Sequence, residues 1–135
     1  MSAETALLKA MREALIEQHA VQVVLGDPAR VYDDPPADAI FPYVTIGRME
    51  SRPADASGGE ASEHVVTLHA WSRYGGRAEA LEVIAALRTA LHNAPLAIEG
   101  LRLVLLLATF ADVFRSGDGR TTHGVLRLRA ITEPQ

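Results

Sequence analysis

Apolar positions recur with a helical period over residues 3–19. Leu7, Leu8, Met11 and Leu15 form one stripe there, and Arg12, Glu13 and Glu17 fall off it. Residues 20–25 (AVQVVL) prolong that helix or make a short turn of their own before Gly26-Asp27-Pro28 breaks the chain. Val31-Tyr32 reads as a brief strand and DDPPADA as a rigid acidic loop. A strand is predicted over about Tyr43–Met49, with Pro42 at its start, where a missing N–H does least harm. Residues 50–62 (ESRPADASGGEAS) hold little that packs, which predicts a long mobile hairpin loop. A strand over 64–72 and a helix over about 77–92 follow; Leu81, Ile84, Ala85 and Leu91 are expected to share the helix's apolar face. Pro95 prevents its continuation. Gly117-Asp118-Gly119 then joins LRLVLLLATFADVFRS to RTTHGVLRLRAIT as a long β-hairpin.

The order α-β-β-α-β-β predicts a single α+β domain over 1–135. It would consist of an antiparallel sheet of about four strands with two main helices packed on one face. Alternation along His64–Ser72 puts Val66, Leu68 and Ala70 on the side facing the helices. Val65, Thr67, His69, Trp71 and Arg73 then lie on the other face, which such a sheet leaves wet. The same difficulty recurs at 103–107. Leu103, Leu105 and Leu107 are expected on one face and Val104 and Leu106 on the other, so this strand is apolar on both sides, as doubly buried strands are. An uncovered apolar surface with an aromatic anchor marks an interface. Trp71, His69, Arg73, Leu103, Leu105 and Leu107 are therefore the candidate contact residues. The competing reading makes Trp71 core filler beneath a loop of its own chain.

Composition narrows the classes. With 135 residues, 48% of them hydrophobic, the chain buries a core without staples, and the absence of cysteine removes disulfides, thiolate metal sites and cysteine nucleophiles. The opening segment lacks the continuous apolar run of a signal peptide, and the stretch Leu103–Ala108 is too short to cross a bilayer, so a soluble chain with no membrane contact is expected. Net charge is −4, unevenly placed. Eleven acids face five bases up to Glu63, and six acids face eight bases beyond it. No basic cluster of the kind that grips a duplex is present. The acids concentrate at Asp33, Asp34 and Asp38 and at Glu50, Asp55 and Glu60, which are read as exposed loops, candidates to face a channel or a partner.

Chemical motifs are scarce. His64 and His69 are five apart, so a regular strand points them to opposite faces. His19, His92 and His123 have no ligand spacing and no evident carboxylate partner, so no metal site is expected. Ser72 and His69 point apart and form no triad. RYGGRAEA has neither a G-x-G-x-x-G nor a Walker lysine, and GDG is turn chemistry without calcium-loop spacing. No catalytic, cofactor-binding or metal-binding residues are assigned, and enzyme activity is not expected.

FPYVTIG at Phe41–Gly47, the polar loop after it, HVVTLHAWSRYGG, the amphipathic helix and the closing hairpin together resemble the tail-terminator or tail-completion family of long-tailed phages. The likeness is greatest to the version in alphaproteobacterial gene transfer agents, and it covers nearly the whole chain. The resemblance implies a structural virion protein without a cofactor, assembled in the bacterial cytoplasm. It implies a ring of about six subunits that ends the tail tube and joins it to the head-side stopper or connector. Tail tube protein and connector would be its partners, and DNA would cross the channel without specific binding. Two alternatives stand beside it: a small dimeric ligand-binding module, and another neck component such as a stopper or adaptor.

Overall fold

The computed structural model describes residues 1–54 and 60–135. The elements are α1 (Ala3–Glu17), α2 (His19–Leu25), β1 (Val31–Tyr32), β2 (Tyr43–Pro53), β3 (Ser62–Ser72), α3 (Ala78–Leu91), β4 (Leu101–Arg115) and β5 (Thr122–Pro134). The sheet has five strands in the order β1-β2-β3-β5-β4. It is mixed, which corrects the expected four-stranded antiparallel sheet. β1 pairs parallel with β2, Val31 opposite Val44 and Tyr32 opposite Thr45. β1 stops after two residues, and the chain bends at Asp33-Asp34 before Pro35 and Pro36, which bring no backbone N–H to a ladder. The intervening segment then returns the chain so that β2 runs in the same direction.

The remaining ladders are antiparallel. β3 is flanked by β2 and β5, and β5 in turn carries β4 on its far side as a 15-residue edge strand. The β2–β3 hairpin is longer than its composition suggests. Glu50, Ser51, Arg52 and Pro53 pair with Val65, His64, Glu63 and Ser62, so the polar stretch 50–53 is strand rather than loop. Ion pairs from Arg52 and Arg129 to Glu63, with Ser51 Oγ bonded to His64 Nδ1 at 2.7 Å, give these polar side chains partners across the ladder.

The expected helix over 3–19 divides. Gln18 takes an extended conformation, its N–H bonding Leu15 O, and α2 begins at His19. Ser2 caps α1, its Oγ accepting from Thr5 N–H at 3.0 Å. After α3, Asn93 adopts φ 59° and donates its N–H to Leu106 O, which pins the helix exit to β4.

The core lies between the helices and one face of the sheet. Leu7, Met11 and Leu15 of α1 bury there with Val21 and Leu25 of α2, and with Leu68, Leu126 and Leu128 of the sheet. Each such side chain contributes about 1.5–3 kcal/mol relative to exposure. On α3 the buried side is Ala80, Val83, Ile84, Leu87 and Leu91. Leu81 is instead 50% exposed and Ala85 also faces solvent, so two of the four residues expected on the packed face lie off it. Gly124 lets α3 approach closely: a Cβ there would come within 3.1 Å of Ile84 Cγ1.

Candidate interaction surface

Strand alternation divides β3 as its sequence suggests. Val66, Leu68 and Ala70 are buried on the helix side, while Val65, His69 and Trp71 are half-buried on the other. His64 also lies on the core side, fully buried, with Nε2 bonded to Thr132 Oγ1 at 2.8 Å and Nδ1 to Ser51 Oγ. Register then builds the outer face. Tyr43 and His123 flank Trp71, while Thr45 and Val125 flank His69.

A connected aromatic cluster forms at this end of the sheet. The Trp71 indole stacks on His123 with centroids 4.1 Å apart and planes inclined by 16°. Its Nε1–H donates to Thr45 Oγ1 at 2.9 Å. His69 Nδ1 and His123 Nε2 are 2.7 Å apart, one ring donating and the other accepting. Phe114 of β4 tilts against His123 at 4.9 Å, and the Arg73 guanidinium sits 4.5 Å above the Phe41 ring. Farther along the face Arg127 lies 4.6 Å above Phe110.

Burial depresses the His69 pKa below its ordinary value. His123 is lowered first by burial and then by the neighbouring His69, against an upward pull from Asp112. Both shifts favour the neutral form, and the shared hydrogen bond requires the accepting ring to be neutral. The backbone makes room for this arrangement at Gly47: a Cβ there would stand 2.4 Å from His69 Nε2.

Of the six expected contact residues, Trp71 and His69 belong to this cluster and Arg73 lies at its margin. The leucines are divided by a bulge. The ladder shifts between Leu103, opposite Thr132, and Leu105, opposite Ile131. The unmatched residue, Val104, breaks the alternation. Leu103 therefore packs against the core side, while Leu105 and Leu107 stand on the outer face opposite Ile131 and Arg129. Grouping Leu103 with Leu105 and Leu107 on one face is thus corrected. A second shift between Ala108 and Phe110 keeps Phe110 opposite Arg127.

Asp33, Asp34 and Asp38 are exposed in the connection from β1 to β2, and Glu60 is exposed beside β3. Glu50 is exposed on β2 itself, 3.9 Å from Arg48, rather than in a loop. Asp55 lies outside the described residues. Phe114, Phe110 and Arg127 carry no signal of their own in the sequence, and His123 enters there only as a histidine without ligand spacing. Their places follow from the β3–β5 and β4–β5 registers, and only the GDG turn hints at the second of those.

Chemically the face offers aromatic rings, histidines and arginines. Among the described residues no group of three or more His, Asp or Glu side chains is placed to hold a metal, although His69 and His123, 54 positions apart, do meet. Ser72 Oγ donates to Glu79 Oε1 at 2.7 Å, away from His69. Asp118 closes the last hairpin by accepting from the N–H groups of Arg120 and Thr121 and from Thr121 Oγ1, which lowers its pKa to about 2. No helix among the described residues is long and apolar enough to cross a membrane.

Residues 9–133 match the family model described as Tail completion protein gp17. The tail completion protein gp17 of Bacillus phage SPP1 is 30% identical over 124 residues, which make up 90% of each chain. Among solved structures, a chain from the virion of the native gene transfer agent particle superposes with a TM-score of 0.88 at 26% identity. That match covers 98% of this chain and 99% of the other. The structure of bacteriophage SPP1 gp17 superposes with a TM-score of 0.66 at 32% identity, over 95% of this chain and 89% of the other.

Proposed function

The chain belongs to the tail completion protein gp17 family, structural components of phage and gene transfer agent virions, and on that premise we propose that it assembles as a ring at the head-proximal end of the tail. The ring contains about six copies, stops growth of the tail tube and joins the tube to the head-side connector. One structural observation supports this reading above the others. Among the described residues, the outer face of the sheet, with Trp71, His123 and Phe114 clustered on it, is covered by no helix, α1, α2 and α3 packing on the other side. A closed ring uses such a face without leaving it exposed.

Trp71, His69, Arg73, Leu105 and Leu107 serve as contact residues in the assembled particle. Asp33, Asp34, Asp38 and Glu60 face the channel or the connector, where negative charge keeps passing DNA from adhering. Both sheet margins are unsuited to open-ended strand pairing, since β4 is bulged twice and β2, which forms the other margin beyond the two-residue β1, is bulged once. Growth by face contact that closes on itself fits those margins.

Deleting the gene tests the role. The expected result is full heads and separate tails of irregular length. Tails of normal length that merely fail to join would assign the chain to another neck position, and normal particles would contradict the reading.

A further inference from the structure

The large apolar side chains left exposed fall mainly into two separate groups. Val23, Tyr74 and Leu81 are 69%, 60% and 50% exposed on the solvent side of the helix layer. Phe110 and Phe114 are 44% and 39% exposed on the outer face of the sheet. Val23 and Tyr74 line a shallow groove between α2 and α3 whose charged lining residues are Glu79 and Glu82, and Leu81 precedes Glu82 on α3. The second lies beside Arg127, which makes no ion pair among the described residues and instead covers Phe110.

Charge follows the same division. Helices α1, α2 and α3 carry five acids against three bases, a net charge of −2. The strands with their hairpins (43–73 and 101–135) carry seven acids against eight bases, a net charge of +1. Two sheet faces brought together would oppose arginine to arginine, and two helix layers would oppose acid to acid. A helix layer placed against a sheet face brings opposite signs together and covers both apolar groups. Two unlike patches on opposite sides of one subunit are also what a head-to-tail ring requires.

We propose that neighbouring copies join head to tail, the α2–α3 patch of one (Val23, Tyr74, Leu81, Glu82) seated on the outer sheet face of the next (Phe110, Arg127). The inference rests on the ring reading and specifies its contact. It leaves the Trp71–His123 end of the sheet at the rim of this contact, nearer the adjoining component of the tail.

The chain has no cysteine of its own, so introduced pairs report without background. Particles built with a chain carrying both Leu81→Cys and Phe110→Cys should give, on oxidation, a ladder of linked species from dimer upward. Each single substitution should give monomer only. A linked dimer from Phe110→Cys alone would make the contact sheet to sheet and overturn the proposal. Assembled particles whose double-cysteine chains stay unlinked would overturn it too, while the ring reading would stand or fall separately by the copy number per particle. Charge exchange guards against a cysteine variant that fails to assemble. Glu82→Arg and Arg127→Glu should each lower incorporation into particles by about tenfold or more, and their combination should restore most of it. Failure of the combination to restore incorporation counts against the contact.

Discussion

The indole of Trp71 lies flat against the imidazole of His123, their centroids 4.1 Å apart, and so joins β3 to β5 on the sheet face opposite α1, α2 and α3. Such a stacked pair contributes about 0.5–1.5 kcal/mol within the subunit. An aromatic anchor that fills a pocket on the adjoining component of the tail contributes more than that to association. Trp71→Ala is therefore expected to leave the isolated subunit folded, with cooperative unfolding intact. It should weaken association in the particle by about 2 kcal/mol or more. Urea titration of the subunit, together with quantified incorporation into particles, separates the two effects. A loss of about 3–5 kcal/mol in the subunit itself would identify Trp71 as core.

Gly47 is expected to tolerate no side chain. A Cβ at this position would stand 2.4 Å from His69 Nε2, so the ring must swing away, and the bond from His69 Nδ1 to His123 Nε2 would go with it. Gly47→Ala should cost about 1–3 kcal/mol in the subunit, the range of an overpacked site. Pairing it with His69→Ala should recover part of that loss. An unchanged unfolding midpoint in Gly47→Ala would show that the imidazole moves freely and that the cluster is not a fixed platform.

Acid should loosen the subunit, through its histidines first. His64, His69 and His123 all have pKa values lowered from the ordinary 6.5, with burial the largest cause in each. Below about pH 6.5 the unfolded chain therefore binds protons that the folded chain refuses. Their contribution to stability is complete above that pH and is lost as the pH falls through the lower folded values. Unfolding midpoints measured at pH 7.5 and 5.5 should show lower stability at 5.5. A double substitution, His69→Gln with His123→Gln, should reduce the difference. A subunit equally stable at both pH values would contradict the assigned direction.

Much of this fold is legible in the residue pattern, and the exceptions have physical causes. The α1 stripe through Leu7, Met11 and Leu15 and the alternation of Val66, Leu68 and Ala70 are strongly periodic, and each is buried as that period requires. The face of Trp71 follows from the same alternation. Leu103 goes astray because one extra residue at Val104 resets the alternation, and a bulge leaves no mark in a run of leucine and valine. Leu81 goes astray because helical periodicity gives a stripe without showing which edge of it meets solvent. The strand at 50–53 is hidden by polar composition, since its ion pairs depend on Glu63 and Arg129 across the ladder. The His69–His123 contact joins positions 54 apart and becomes visible only once the β3–β5 register is fixed.

Imaging of intact particles, with this subunit located and its copies counted, tests the central claim most directly. The account predicts a closed ring of about six copies at the junction between tail tube and head-side connector, with helix layers meeting sheet faces around the ring. A single copy per particle, an isolated dimer, or a location away from that junction would contradict it.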